Sequence, residues 1–108
     1  MEIRKLRKFV RLAMNHIERI GTREDLLILL EIADNQTSDR CLTLKQLALS
    51  GIAPESTLKR RLARLAKRGL ITKMPIEGDR RVQRYQVESR ALETLRMLGQ
   101  DLSGFEWN

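Results

Sequence analysis

The sequence predicts a mainly α-helical fold carrying one small antiparallel β-hairpin. Three observations support it. Apolar residues recur at helical spacing in five stretches, two short β-prone runs flank Glu77-Gly78-Asp79, and capping residues punctuate the helical stretches. A chain of 108 residues has a core just large enough for one domain. The division expected is 1–35 for N-terminal helices that pair two copies, 43–88 for a reading unit, and 89–108 for a last helix and tail.

The segment Glu2 to Ile20 places Leu6, Val10, Ala13, Ile17 and Ile20 on one helical face. Ile3 and Met14 widen that stripe, and Phe9 and Leu12 flank it, which is more apolar surface than one small core needs. Gly21 ends this helix. Thr22 with Asp25 three residues on is a variant capping box for the next, which runs through Leu26–Ile32 and stops around Asp34–Asn35. A polar loop over Gln36–Arg40 follows.

Thr43 and Gln46 form a second capping box, with Leu44, Leu47 and Ala48 as the inner face of a short helix. Ser50-Gly51 stops it. Pro54 suits the first turn of another helix, where its missing N–H costs nothing. That helix carries Leu58, Leu62 and Leu65 and stops at Gly69. Two helices joined by a short turn make a helix-turn-helix. Then Ile71–Ile76 and Val82–Val87 read as strands around a tip at Gly78-Asp79, with Pro75 marking an edge strand or bend. The fold class is therefore a winged helix-turn-helix. Ser89 caps the last helix, which carries Ala91, Leu92, Leu95 and Leu98. Leu92, Leu95, Leu98 and Leu102, with Phe105 and Trp107 beyond, are expected to share the pairing surface with the first helix; the alternative is that the two terminal helices pack on each other within one subunit.

Charge is unevenly spread. Between Pro54 and Arg84 stand ten basic residues against Glu55, Glu77 and Asp79, so this segment holds the whole net charge of +7. Such a concentrated field fits a polyanion. No apolar run approaches the roughly 20 residues that span a bilayer, and basic residues interrupt the N-terminal pattern, so neither a signal peptide nor a membrane association is expected. A single cysteine, Cys41, forms no internal disulfide and suits a reducing, cytoplasmic setting. Cys41 and Tyr85 read as packing residues. His16 stands without a second histidine or a paired cysteine, and no nucleophile elbow or phosphate loop occurs. No catalytic residue, metal site or cofactor is expected, and the protein reads as a non-enzyme.

The stretch Leu42 to Val87 resembles the winged-helix module of the multiple-antibiotic-resistance-regulator (MarR) family. The matching residues are Thr43-Leu44-Lys45-Gln46-Leu47-Ala48, Gly51-Ile52, Ser56-Thr57-Leu58, Arg64-Leu65, Arg68-Gly69-Leu70-Ile71 and Gly78-Asp79-Arg80-Arg81. The family's Leu-Thr after the wing is replaced here by Val87-Glu88-Ser89. The resemblance implies a wing whose Asp79 pairs with an arginine and steers it, while Arg81 enters the minor groove.

On a helical wheel Ser56, Arg60, Arg64 and Lys67 project away from Leu58, Leu62 and Leu65, with Thr57 and Lys59 on the flanks. Such a face can read base edges in a major groove and hold phosphates. With Lys73, Asp79, Arg80, Arg81 and Arg84 of the hairpin, these are the candidate contacts to double-stranded DNA. Arg61 and Arg68 read equally well as contacts or as a solvated flank. The expectation is a sequence-specific transcriptional regulator acting as a homodimer, with a small-molecule effector left open. Two alternatives share the pattern: a winged-helix protein-interaction module, and a replication or partition protein of a mobile element.

Overall fold

A computed structural model describes residues 2–37, 40–76 and 79–104. The N-terminal pattern forms α1 (Glu2–Ile20), and beyond Gly21 the chain continues as α2 (Arg23–Thr37). The start of α2 is closed reciprocally. The Asp25 N–H donates to Thr22 Oγ1 at 3.1 Å, and the Thr22 N–H donates to Asp25 Oδ2 at 3.2 Å. Two orphan donors of the first turn are thereby satisfied.

Helix α2 outlasts the expected stop at Asp34–Asn35, and a distant contact explains the two extra residues. Gln36 Oε1 accepts the Val87 N–H at 2.6 Å while its Nε2 donates to the Val87 carbonyl at 3.5 Å. The side chain thus answers both backbone groups of a strand residue, a pairing no local pattern reveals.

The chain then forms β1 (Leu42–Thr43), α3 (Leu44–Ala48), α4 (Glu55–Lys67), β2 (Ile71–Ile76), β3 (Asp79–Val87) and α5 (Ser89–Ser103). Thr43 and Gln46 make the expected capping box at α3. The start of α5 differs slightly: Ser89 is its first residue rather than its cap, since the Leu92 N–H bonds to the Glu88 carbonyl at 2.8 Å.

The sheet has three antiparallel strands in the order β1-β3-β2, one more than the hairpin expected. Strand β1 is too short to show alternation, and only its pairing of Leu42 with Tyr85 and Thr43 with Arg84 defines it. Pro75 lies on an outer strand, as its lack of an N–H requires. The register jumps there: Pro75 faces Gln83 but Ile76 faces Asp79, so Arg80–Val82 have no partner among the described residues of the hairpin. That irregularity is bulge-like and sits close to the tip of the wing.

The core gathers Ile28, Leu29 and Ile32 of α2, Leu47, the α4 leucines, Ile71, Tyr85 and Val87 of the sheet, and Ala91, Leu95 and Leu98 of α5. This corrects one expectation. Leu95 and Leu98 are buried within the subunit rather than offered to a partner, because α5 closes the core and also packs on α1. Leu102, Phe105 and Trp107, assigned to the same surface, lie outside the described side chains, as do Ile17 and Ile20. On α1 the stripe Ile3, Leu6, Val10 and Met14 remains exposed.

Candidate nucleic-acid interface

Helix α4 is fixed at both ends and along one side. The Leu58 N–H bonds to the Pro54 carbonyl at 2.9 Å, opening the helix. At its end the Leu70 N–H reaches the Leu65 carbonyl and the Gly69 N–H the Ala66 carbonyl, both at 3.0 Å. That pair of bonds is a Schellman stop, and Gly69 takes the required left-handed conformation at φ +76°. Leu58, Leu62 and Leu65 are buried against the core, so the opposite side must face water.

The exposed side carries what the wheel assigned to it. Ser56, Lys59, Arg60, Arg64 and Lys67 are exposed and Thr57 is half-buried. Lys59 has company that the sequence alone does not show. An open cleft of about 650 Å³ runs between α4 and the hairpin, lined by Thr43, Lys45, Glu55, Lys59, Lys73 and Gln83 among others. Three lysines from α3, α4 and β2 therefore converge, with one acid, Glu55, beside them. Lys45 was absent from the expected contacts because it belongs to a different helix. Its nearness to Lys59 and Lys73 exists only once α3, α4 and β2 have packed. The sole signal in the sequence was its position just inside the capping box.

Other cations go elsewhere. Arg84 is half-buried, pairs across the sheet with Met74, and donates to the Cys41 carbonyl. It lines a separate cleft of about 640 Å³ with Arg40, Cys41 and Gln46. Neighbouring residues of a strand point to opposite faces, so Arg84 leaves the sheet on the face away from Lys73 and Tyr85. Arg61 also leaves the exposed group: its guanidinium turns to the start of α2. Arg68 places Nη1 near Gly21, toward the same junction. The side chains of Asp79, Arg80 and Arg81 lie outside the described residues, so only their backbone position in β3 is placed.

Tyr85 is buried in the sheet-facing core, and that burial pushes its phenol above the ordinary tyrosine range. It is a packing residue, as expected. Among the described residues no group of acidic, histidine or cysteine side chains could hold a metal ion, and no helix is long and apolar enough to cross a membrane.

No family model matches the sequence, and no curated protein does. Solved structures do match. The MepR–DNA complex of S. aureus aligns with a TM-score of 0.74 at 14% identity, covering 91% of this chain and 81% of that one. The fold is the MarR winged helix. A cysteine-to-serine mutant of MarR itself from E. coli, complexed with operator DNA, gives 0.67 at 21% identity, covering 92% and 71%. YusO from Bacillus subtilis gives 0.74 at 17% identity, covering 91% and 67%. In the MarR fold α3 and α4 are the helix-turn-helix, and β2–β3 is the wing beside it.

Proposed function

We propose that the chain is a transcriptional regulator that binds double-stranded DNA, with α4 in the major groove and the wing in the adjacent minor groove. One observation carries the reading. Helix α4 buries its leucines completely and turns Arg60, Arg64 and Lys67 to solvent on the opposite face, with Lys59 exposed on its flank and Glu55 its single acid. An arginine there can grip guanine O6 and N7, whereas lysines suit phosphates. The MarR and MepR structures in complex with DNA make the same fold a DNA binder in those proteins. An interaction module would not need so many cations on this helix.

The cleft gives the reading its second part. A helix in the major groove and a hairpin in the next minor groove straddle one sugar–phosphate strand. The residues between them, Lys45, Lys59 and Lys73, meet that strand, and Glu55 partly offsets them. At the tip Arg81 enters the minor groove, where a narrow groove concentrates negative potential, and Asp79 steers it. Arg80 supports the same contact as a phosphate ligand, while Arg84 holds the base of the wing through the Cys41 carbonyl.

Two copies pair through α1. Its stripe Ile3, Leu6, Val10 and Met14 is exposed over three turns, an extent of apolar surface that monomers rarely leave open. A two-fold pair sets two recognition helices about 34 Å apart, one turn of DNA.

Fluorescence anisotropy with labelled genomic duplexes at graded salt tests the reading. Binding should weaken steeply, with a log–log slope of about −0.9 for each of roughly 5 phosphates per subunit. Salt-independent binding, or none to any duplex, would refute it.

A further inference from the structure

Arg61 behaves unlike the other basic residues of α4. Its Nη1 donates to Thr22 Oγ1 at 3.0 Å and to Asp25 Oδ1 at 3.3 Å, and its Nη2 stands 3.9 Å from Glu24 Oε2. The Arg61 side chain is 19% exposed and that of Asp25 only 6%. The second oxygen of Asp25 already accepts the Thr22 N–H. One carboxylate therefore closes the start of α2 and grips the recognition helix, 36 positions further along the chain.

Gly21 permits this arrangement. Its φ of +140° lies where glycine is favoured, and a Cβ there would stand 2.7 Å from Asp25 Oδ2 and 3.1 Å from Arg68 Nη1. A side chain at position 21 would displace the Asp25 carboxylate and crowd the Arg68 guanidinium. Helix α1 thus leaves the winged unit at a tight junction of Gly21, Thr22, Asp25 and Arg61.

The chemistry favours orientation over stability as the role of this pair. Arg61 Nε is buried without a hydrogen-bond partner among the described residues. A buried ion pair must overcome the desolvation of both charges, and it does so only when every donor is met. Here one is not. What the pair does supply is direction, because a guanidinium held through Nη1 by two acceptors on one helix end fixes where that end lies relative to α4.

We propose that Arg61 and Asp25 form a positioning joint that fixes the start of α2, where α1 ends at Gly21, against α4, and thereby sets the half-site spacing that two paired copies accept. This deepens the reading of the chain as a dimeric DNA binder and rests on it. Helix α1 bears the exposed apolar stripe and α4 the exposed cations, and the joint lies where the two parts of the subunit meet. A loosened joint lets the recognition helices of a pair sit at more than one separation.

The test is site selection from duplexes with two half-sites whose spacer varies by single base pairs. Wild type, Arg61→Gln and Asp25→Asn are compared, with circular dichroism melting to establish that each is folded. Asp25→Asn keeps an oxygen for the Thr22 N–H while removing the charge that holds Arg61. Wild type should favour one spacer. The variants should lose about fivefold or more of that discrimination, while affinity for an isolated half-site changes by less than about twofold. Should a neutral variant fail to fold, Arg61→Lys keeps the charge but not the planar fork, and a broadened spacer profile is expected there too. An unchanged spacer profile in the folded variants overturns the joint. Equal losses on isolated and paired half-sites overturn it as well, by making Arg61 a DNA contact. If wild type binds half-sites with no spacer preference, the joint fails and DNA binding stands; if wild type binds no duplex, the underlying reading fails first.

Discussion

Helices α1 and α4 are built to the same plan, with aliphatic residues along one side and lysines and arginines around the rest. Their fates differ. Leu58, Leu62 and Leu65 of α4 are no more than 1% exposed, while Ile3, Leu6, Val10 and Met14 of α1 are 83%, 53%, 47% and 44% exposed. The apolar side of α4 lands on α3 and β2 of its own subunit. Among the described side chains, α1 meets α2 and α5 along a flank where Phe9, Leu12 and Ala13 are half-buried. An amphipathic pattern therefore states that a helix needs an apolar partner without stating which chain supplies it. The same holds for the cations: those of α4 stand on a face fixed by buried leucines, beside a cleft, and those of α1 stand around an unfilled stripe.

The largest effect that separates the two helices is stability. Leu62→Ala should cost about 2–5 kcal/mol, as a lower urea midpoint with an unchanged slope. Leu6→Glu should change subunit stability by only about 0.5 kcal/mol at dilutions where pairing is absent, yet abolish self-association in sedimentation equilibrium. Equal destabilisation by both would show that the α1 stripe is already in use inside the subunit.

A smaller effect separates the cations. Arg60→Ala should cost about 1–3 kcal/mol on the preferred duplex and relax the choice at one base position. Lys45→Ala should weaken all sequences alike and lower the magnitude of the salt slope by about 0.9, whereas Glu55→Gln should tighten binding. Lys8→Ala, on exposed α1, should leave the slope unchanged. A slope change from Lys8→Ala equal to that from Lys45→Ala would place α1 on the DNA and blur the contrast.

The smallest effect concerns the sheet on which α4 rests. Burial raises the pKa of Tyr85 above the ordinary tyrosine value, so the fold favours the neutral phenol. That contribution is fully present below the unfolded pKa and is lost as pH rises through the higher folded one. Melting temperature should therefore be insensitive to this group near neutrality and fall above about pH 10. Tyr85→Phe should flatten the alkaline fall, and an unchanged fall would mean that the phenol is solvated.

Most local chemistry was legible in the sequence, the cap of α5 excepted. Thr22 with Asp25 and Thr43 with Gln46 cap their helices as their spacing states, because both partners lie within one turn. Gly69 stops α4 for a reason contained in one residue's backbone freedom, and the three leucines of α4 determine its outward face by helical geometry alone. Longer-range features were not legible. The pairing of Gln36 with Val87 spans 51 positions, β1 exists only through its partners on β3, and Lys45 joins Lys59 and Lys73 only after three elements pack. Arg84 and Arg61 share the basic composition of their neighbours, yet one bonds to the Cys41 carbonyl and the other to Asp25. Composition and period determine which faces are apolar and which are charged. Which charge meets which acceptor depends on how separate elements come to rest against one another, and that was decided by the tertiary packing of the shared core.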